Sequence, residues 1–263
     1  MFSRINLEIF VNFVDDTPMT TIDAVLPDPS DPITHLRRPT EGDTFPRSAI
    51  ESAYRQLRLD IIEGRRAPGD KLRVEHLKDE YQVSASTLRE ALSLLVSDSL
   101  VVSQAQRGFR VAPMSLADIE DLTRTRTLLE CAAFQDSLLY GDDEWEARVV
   151  SAYHQLSRAE ERLATDMAGV FDEWEERNRA FHEALTSACQ SRWILRFQSL
   201  LFQQAQRYRR LSAVTTKVPA SVHEEHRRIF EAAMARDKEQ ANELLAQHIQ
   251  FALTVIRQQG VLK

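Results

Sequence analysis

Over residues 100–113 the apolar residues alternate, in LVVSQ and FRVAP on either side of Ala105-Gln106-Arg107-Gly108, whereas from Ser48 onward the rest of the chain repeats at helical spacing. Alternation on both sides of a short glycine-containing turn predicts a β-hairpin. Ahead of it, Ile50, Tyr54, Leu57 and Ile61 mark a helix over 48–63, which Gly64 ends. After the turn RRAPGDK a short helix is expected over 74–81. Ser84 then caps a third helix carrying Leu88, Ala91, Leu92 and Leu95 on one face. Three helices followed by a two-stranded wing is the order of a winged helix-turn-helix.

Beyond the hairpin the pattern is helical throughout. Ser115-Leu116-Ala117-Asp118 has capping-box spacing and opens a helix that Gly141 closes, with Ile119, Leu122, Leu129 and Ala133 on one stripe. Five more helices are expected at roughly 143–166, 170–188, 191–212, 219–236 and 238–258. Six amphipathic helices of this length make a bundle. The expected fold is therefore mostly α: a winged helix-turn-helix over 47–114 joined to an all-α six-helix bundle over 115–263. Residues 1–46 hold six of the nine prolines and no sustained helical period, which predicts a poorly ordered leader. Met19 offers a second possible start within it.

Composition removes several function classes. No run approaches the roughly 18 apolar residues of a membrane helix, and the opening MFSRINLEIFVNFVDD is interrupted by Glu8 and lacks a small-residue cleavage site. The two cysteines, Cys131 and Cys189, form neither a disulfide framework nor a CxxC knuckle, which points to a reducing cytoplasm. Glycine is scarce, 7 in all, and neither GxGxxG nor GxxxxGK[ST] occurs, so those nucleotide-binding loops are excluded. The net charge of −7 is unevenly spread: residues 48–112 hold 10 Lys/Arg and 9 Asp/Glu, and the remainder 23 and 31. An anion-facing module joined to an acidic body fits that asymmetry.

The helix that starts at Ser84 presents Ala85, Ser86, Thr87 and Arg89 in its first exposed turn. A recognition helix sets its N-terminal residues against base edges in the major groove, where Arg pairs bidentately with guanine. Small hydroxyls beside it reach phosphates or bases. Arg107 and Gly108 fall at the wing tip, where a cation and a close backbone approach suit minor-groove or phosphate contact. Ordinary solvated charge explains either arginine equally well at this level.

In the bundle, three of the seven histidines fall on otherwise apolar stripes. His226 follows Val222 and precedes Ile229 and Ala233; His248 lies with Leu245, Ala252 and Val255; His182 adjoins a face of Trp174, Asn178, Phe181 and Leu185. Asn178, one turn before His182, has its Cβ about 5–6 Å away. Three inward imidazoles from three helices are either hydrogen-bonded core residues or ligands converging on a metal, as bundles build them. No inward Asp or Glu beside them suggests itself as a general base. Arg126, between Leu122 and Leu129, turns inward and needs an anion. Glu130 one turn on supplies one; the carboxylate of an effector would be another. Tyr208, on a stripe with Leu201 and Ala205, offers a hydroxyl or is plain core.

Residues 53–111 resemble the N-terminal domain of the GntR superfamily of bacterial transcriptional regulators. The match runs through Gly64, Pro68-Gly69, Leu72, Leu77, Val83-Ser84, Leu88-Arg89-Glu90-Ala91-Leu92, Leu100-Val101 and Arg107-Gly108. The resemblance implies a dimer on a palindromic operator, with DNA contacts at Arg73, Ser84, Ser86, Thr87, Arg89 and Gly108. Ala85 replaces the arginine usual just after the capping residue, Thr87 a proline, and Ser99 the glycine before the wing. The C-terminal half resembles the FCD ligand-sensing domain of the FadR subfamily, through Arg126 with Leu129-Glu130, NRAFHEAL, EEHRRIFEAAMARD and AQHI. That resemblance implies a divalent metal, Zn²⁺, Ni²⁺ or Mn²⁺, on His182, His226 and His248, with Asn178 where an Asp usually stands. It also implies a small carboxylate effector, glutarate-like dicarboxylates among them.

The expected function is thus a cytoplasmic, homodimeric, metabolite-responsive regulator, and a repressor by preference. Arg126 and Tyr208 would receive the effector, and Arg107 joins the DNA contacts. A metal-dependent enzyme built on the helical half is the alternative, since a histidine site with an open position activates water; it would leave the winged helix without purpose.

Overall fold

A computed structural model of the chain describes residues 48–104, 107–215, 218, 219, 221–260 and 262. The expected leader over 1–46 and the turn residues Ala105 and Gln106 lie outside them. The N-terminal part is built from α1 (Ala49–Ile62), β1 (Lys71–Leu72), α2 (Val74–Glu80), α3 (Ala85–Ser97), β2 (Val101–Gln104) and β3 (Gly108–Val111). Then come α4 (Leu116–Tyr140), α5 (Asp143–Leu163), α6 (Met167–Leu185), α7 (Arg192–Thr215), α8 (Ser221–Met234) and α9 (Lys238–Gln259). A winged helix-turn-helix followed by six bundle helices is what the periodicity predicts. Among the described residues no helix is long and apolar enough to cross a membrane.

Local chemistry sets most of the boundaries. Ser48, Ser84, Ser115, Asp142, Asp166 and Asp237 each accept a hydrogen bond from the backbone N–H three residues on, which stops the chain from extending each helix backwards. The reciprocal half of the expected box at Ser115 is absent: the Asp118 carboxylate accepts from the Tyr208 hydroxyl instead. At the C-terminus of α3 the Leu100 N–H donates to Leu95 and the Ser99 N–H to Val96, the two bonds of a Schellman closure. Ser99 takes the left-handed backbone this closure requires, at φ 59°.

The sheet has three strands, in the order β1-β3-β2, and both pairings are antiparallel. The hairpin register sets Val102 opposite Arg110 and Gln104 opposite Gly108. β1 was not expected. Two residues are too few to show an alternation, and Lys71 and Leu72 become strand by pairing with Arg110 and Phe109. The winged core closes over Leu57, Leu88, Leu92, Leu95 and Leu100, all fully buried. The bundle core gathers Phe134, Trp145, Phe181, Leu185 and Ile229. A smaller cluster of Ile119, Leu122, Ala205, Tyr208, Leu253 and Ile256 joins the start of α4 to α7 and α9.

Helix α7 also touches the winged part directly. Gln204 Nε2 donates to the carbonyl of Asp98, which caps α3, at 2.7 Å. Arg207 Nη2 donates to the carbonyl of Ala112, just past β3, at 2.7 Å. The Asp98 carboxylate in turn accepts from the Tyr54 hydroxyl of α1.

Candidate functional site

The two ends of the molecule carry different chemistry. At the winged end, a surface groove is lined by Lys71, Leu72, Arg73, Val74, Glu75, His76, Arg89, Arg107, Gly108 and Phe109. It brings together four of the residues singled out for DNA contact: Arg73, Arg89, Arg107 and Gly108. Four lysines and arginines face one glutamate there, so the groove is electropositive and suited to phosphate. Gly108 holds φ +82°, a conformation that L side chains rarely adopt, and the space beside it is open. At the tip of α3 the Ser84 hydroxyl lies 2.8 Å from that of Ser86 and 2.9 Å from that of Thr87, and it accepts from the Thr87 N–H at 3.1 Å. Ser84 and Ser86 are exposed and Thr87 is half-buried. These hydroxyls form one cluster at the leading end of the recognition helix, with Arg89 less than one turn behind.

In the bundle, one ring nitrogen from each of His182 (α6), His226 (α8) and His248 (α9) lies within 4.8 Å of the other two. Behind each ring stands a glutamate. Glu130 Oε2 lies 3.2 Å from His182 Nδ1, Glu160 Oε1 lies 2.6 Å from His226 Nδ1, and Glu225 Oε2 lies 2.8 Å from His248 Nδ1. An ionised carboxylate only accepts, so each Nδ1 carries a proton, and Nε2 is the atom left to face a ligand. Burial would push the Glu130 carboxyl up, but Arg126 and then His182 outweigh it and hold it down at about 2. Glu160 is also held low, burial opposing and the bonds from His226 and His223 prevailing. His182 is pushed down to about 3 by burial, against the pull of Glu130. His248 is pushed down to about 4, by burial and then by His226. Imidazoles oriented by carboxylates are how proteins prepare histidine for a metal.

Two further observations test the fit of a divalent cation. His226 Nε2 and His248 Nε2 stand 3.2 Å apart, an approach that a cation shared between them would account for. Asn178 is 3% exposed, and its Oδ1 has no hydrogen-bond partner. Both residue sets line one cavity of about 80 Å³, and a donor set of three imidazole nitrogens and an amide oxygen fits a divalent ion. The three glutamates correct the sequence reading, which found no acid beside the histidines. They also offset the charge a metal would bring, so the pocket is not the unbalanced cationic site that neutral ligands alone imply.

Arg126 and Arg209 enter the same cavity. Arg126 Nε donates to Glu130 Oε1 at 2.7 Å, and Arg209 donates through Nε and Nη2 to the two oxygens of Glu175, at 2.8 and 2.9 Å. Both guanidinium carbons sit over the Phe202 ring, 5.1 and 4.6 Å from its centre. Tyr208, the second residue expected at the effector, is not among the lining residues. Its hydroxyl donates to Asp118 and accepts from the Ser115 N–H at 3.3 Å, which anchors the start of α4. Glu160, Glu175, Phe202 and Arg209 went unrecognised in the sequence. For Glu175 and Arg209 the signal was present: Glu175 lies between Phe171 and Asn178 on the inward stripe, and Arg209 falls seven after Phe202.

Comparison with known proteins then fixes the class. The family described as bacterial regulatory proteins of the gntR family matches residues 49–111, and the FCD domain matches 121–251. The HTH-type transcriptional regulator BphR of Paraburkholderia xenovorans is 54% identical over 82% of this chain and 89% of its own. The transcriptional repressor GlaR of Escherichia coli is 36% identical over 78% of this chain and 94% of its own. Among solved structures, E. coli McbR/YncC superposes with a TM-score of 0.66 at 21% identity, over 82% of this chain and all of that one, which shows the fold. A GntR regulator from Rhodococcus sp. RHA1 gives 0.66 at 26% identity, over 81% and 99%. These relatives are transcription regulators and not enzymes, which decides against the metal-dependent enzyme, and FCD domains generally bind metal. With a groove of arginines on a winged helix at one end and a histidine pocket in an FCD bundle at the other, the chain belongs to the GntR family of bacterial transcriptional regulators.

Proposed function

We propose that the protein is a cytoplasmic, homodimeric repressor of the FadR subfamily, released from a palindromic operator by a small carboxylate. In this reading the winged helix over 47–114 reads the operator through Arg73, Ser84, Ser86, Thr87, Arg89, Arg107 and Gly108. The half over 115–263 carries dimerisation and effector binding. The observation that carries the effector site is the convergence of His182, His226, His248 and the unpaired Asn178 oxygen on a cavity that also holds two guanidinium groups. A Zn²⁺, Ni²⁺ or Mn²⁺ ion on those four residues would offer an open position to one carboxylate oxygen, with Arg126 as its cationic partner. Leu128 on α4 and Trp193 and Phe197 on α7 are large and exposed, and they supply apolar surface for the second subunit.

DNA selected from a randomised pool by the purified protein serves as the probe for a test. Mono- and dicarboxylates are titrated against the complex in metal-loaded and metal-stripped protein. At least one carboxylate is expected to weaken binding about tenfold, corresponding to about 1.4 kcal/mol of coupling, in the loaded form alone. No response to any carboxylate, or an equal response without metal, would remove the proposed effector site.

A further inference from the structure

Arg207 has a buried side chain, with the residue 6% exposed, and among the described residues it forms no salt bridge. Its hydrogen bonds go to neutral acceptors: the Ala112 carbonyl at 2.7 Å and Gln204 Oε1 at 3.2 Å. The Asp118 carboxylate offsets part of the cost of this burial from a distance, but with neutral hydrogen-bond acceptors the burial prevails, and an apolar side chain would fill the same volume at lower cost. What the arrangement provides is a connection. Gln204 accepts from Arg207 and donates to the Asp98 carbonyl, so one turn of α7 holds both the end of the recognition helix and the end of the wing. Tyr208, on the same turn, holds the start of α4.

The other side of α7 faces the pocket. Phe202 and Arg209 are seven residues apart, hence on one face, and both line the cavity. Gln204, Arg207 and Tyr208 lie roughly 120–160° away from Phe202 around the helix, at about 100° per residue. The Phe202 ring is 5.4 Å from that of His182 and lies beneath both arginines. A ligand that pressed on Phe202 or drew on Arg209 would act on a helix whose far side holds the end of α3 and the end of β3. α3 has 13 residues, so it is about 20 Å long, and a small tilt at its held end is magnified at the reading end.

We propose that Arg207, acting with Gln204, is a positioning residue that transmits the state of the pocket to the recognition helix and wing. The proposal rests on the pocket being the regulatory site, but on no metal and no particular effector. An arginine that merely staples two parts together would lower stability and leave pocket and DNA effects independent.

A double-mutant cycle in the full chain separates the two roles, with pool-selected DNA as probe. Phe202→Leu alters the pocket without touching the winged part; Arg207→Met keeps the stem and removes the hydrogen bonds. Phe202→Leu is expected to change Kd about fivefold or more in the native background and less than about twofold with Arg207→Met. Arg207→Lys, which retains a donor for the Ala112 carbonyl, should keep most of the coupling. The same factor in both backgrounds, or no effect of Phe202→Leu in the native one, overturns the proposal. Should Arg207→Met fail to fold, hydrogen exchange of the native chain decides: DNA binding must change the protection of amides over 202–213, and unchanged protection overturns it. Because neither measurement uses metal or carboxylate, failure here is distinct from failure of the effector reading.

Discussion

Arg89 leaves α3 with its side chain 58% exposed and comes no closer than 4.0 Å to Glu75, so that pair holds it only loosely. A long, loosely held cation at the leading end of a recognition helix is available for a base edge. Arg89→Ala should weaken binding to pool-selected DNA by about 1–3 kcal/mol and much less on random DNA, with the melting temperature unmoved. Equal losses on both would reduce Arg89 to a phosphate contact. Asn178 presents the opposite case, a buried oxygen with no partner. Asn178→Asp should tighten metal binding, measured by competition with a chelator, and weaken any carboxylate that binds beside the metal, because it adds a negative charge to the ligand set. Tighter metal together with a tighter carboxylate would contradict the proposed geometry.

Among the elements, the turn that closes α3 stands out because Ser99 holds a left-handed backbone suited to glycine. Ser99→Gly should stabilise the fold by up to about 1 kcal/mol, the relief of backbone strain less the entropy that glycine adds to the unfolded chain. Urea unfolding measures this, and a lower midpoint for the variant would show that Ser99 is unstrained. Helices of this length declare themselves in sequence, since the stripes through Leu57, Leu92, Ile119 and Ile229 repeat often enough to fix period and face. β1 does not, because its two residues are strand only through their partner. The histidines were legible as polar residues on apolar stripes, but Glu160 and Glu225 were not. They stand in the runs AEER and HEEH, which read as solvated faces until the fold turns one member of each pair inward. Gln204 and Arg207 were illegible for another reason: their acceptors are main-chain carbonyls about 100 positions away, and a carbonyl has no sequence signature.

For the molecule as a whole, the buried ionisable groups set how it responds to acid. His182 and His248 stay neutral in the fold down to about 3 and about 4, whereas an unfolded histidine takes its proton near 6.5. Below about 6.5 the unfolded chain thus binds more protons, and stability falls with pH down to about 4. Glu130, held at about 2 against the unfolded value near 4.5, contributes stability that is present above about 4.5 and lost as pH falls toward 2. The two effects run the same way. Metal-free protein should therefore show a lower urea midpoint at pH 5 than at pH 7.5; an equal or higher midpoint at pH 5 would mean that these histidines are not buried as neutral rings.

Three glutamate-oriented imidazoles and an unpaired amide, set inside a transcription regulator, are proposed to hold a metal ion, and the effector site depends on it. The deciding measurement is elemental analysis of the protein, purified without chelator or added metal and compared with His226→Ala. About one Zn²⁺, Ni²⁺ or Mn²⁺ per chain is expected in the native protein, with most of it lost in the variant. Native protein without bound metal, or a His226→Ala variant that retains it fully, would contradict the assignment.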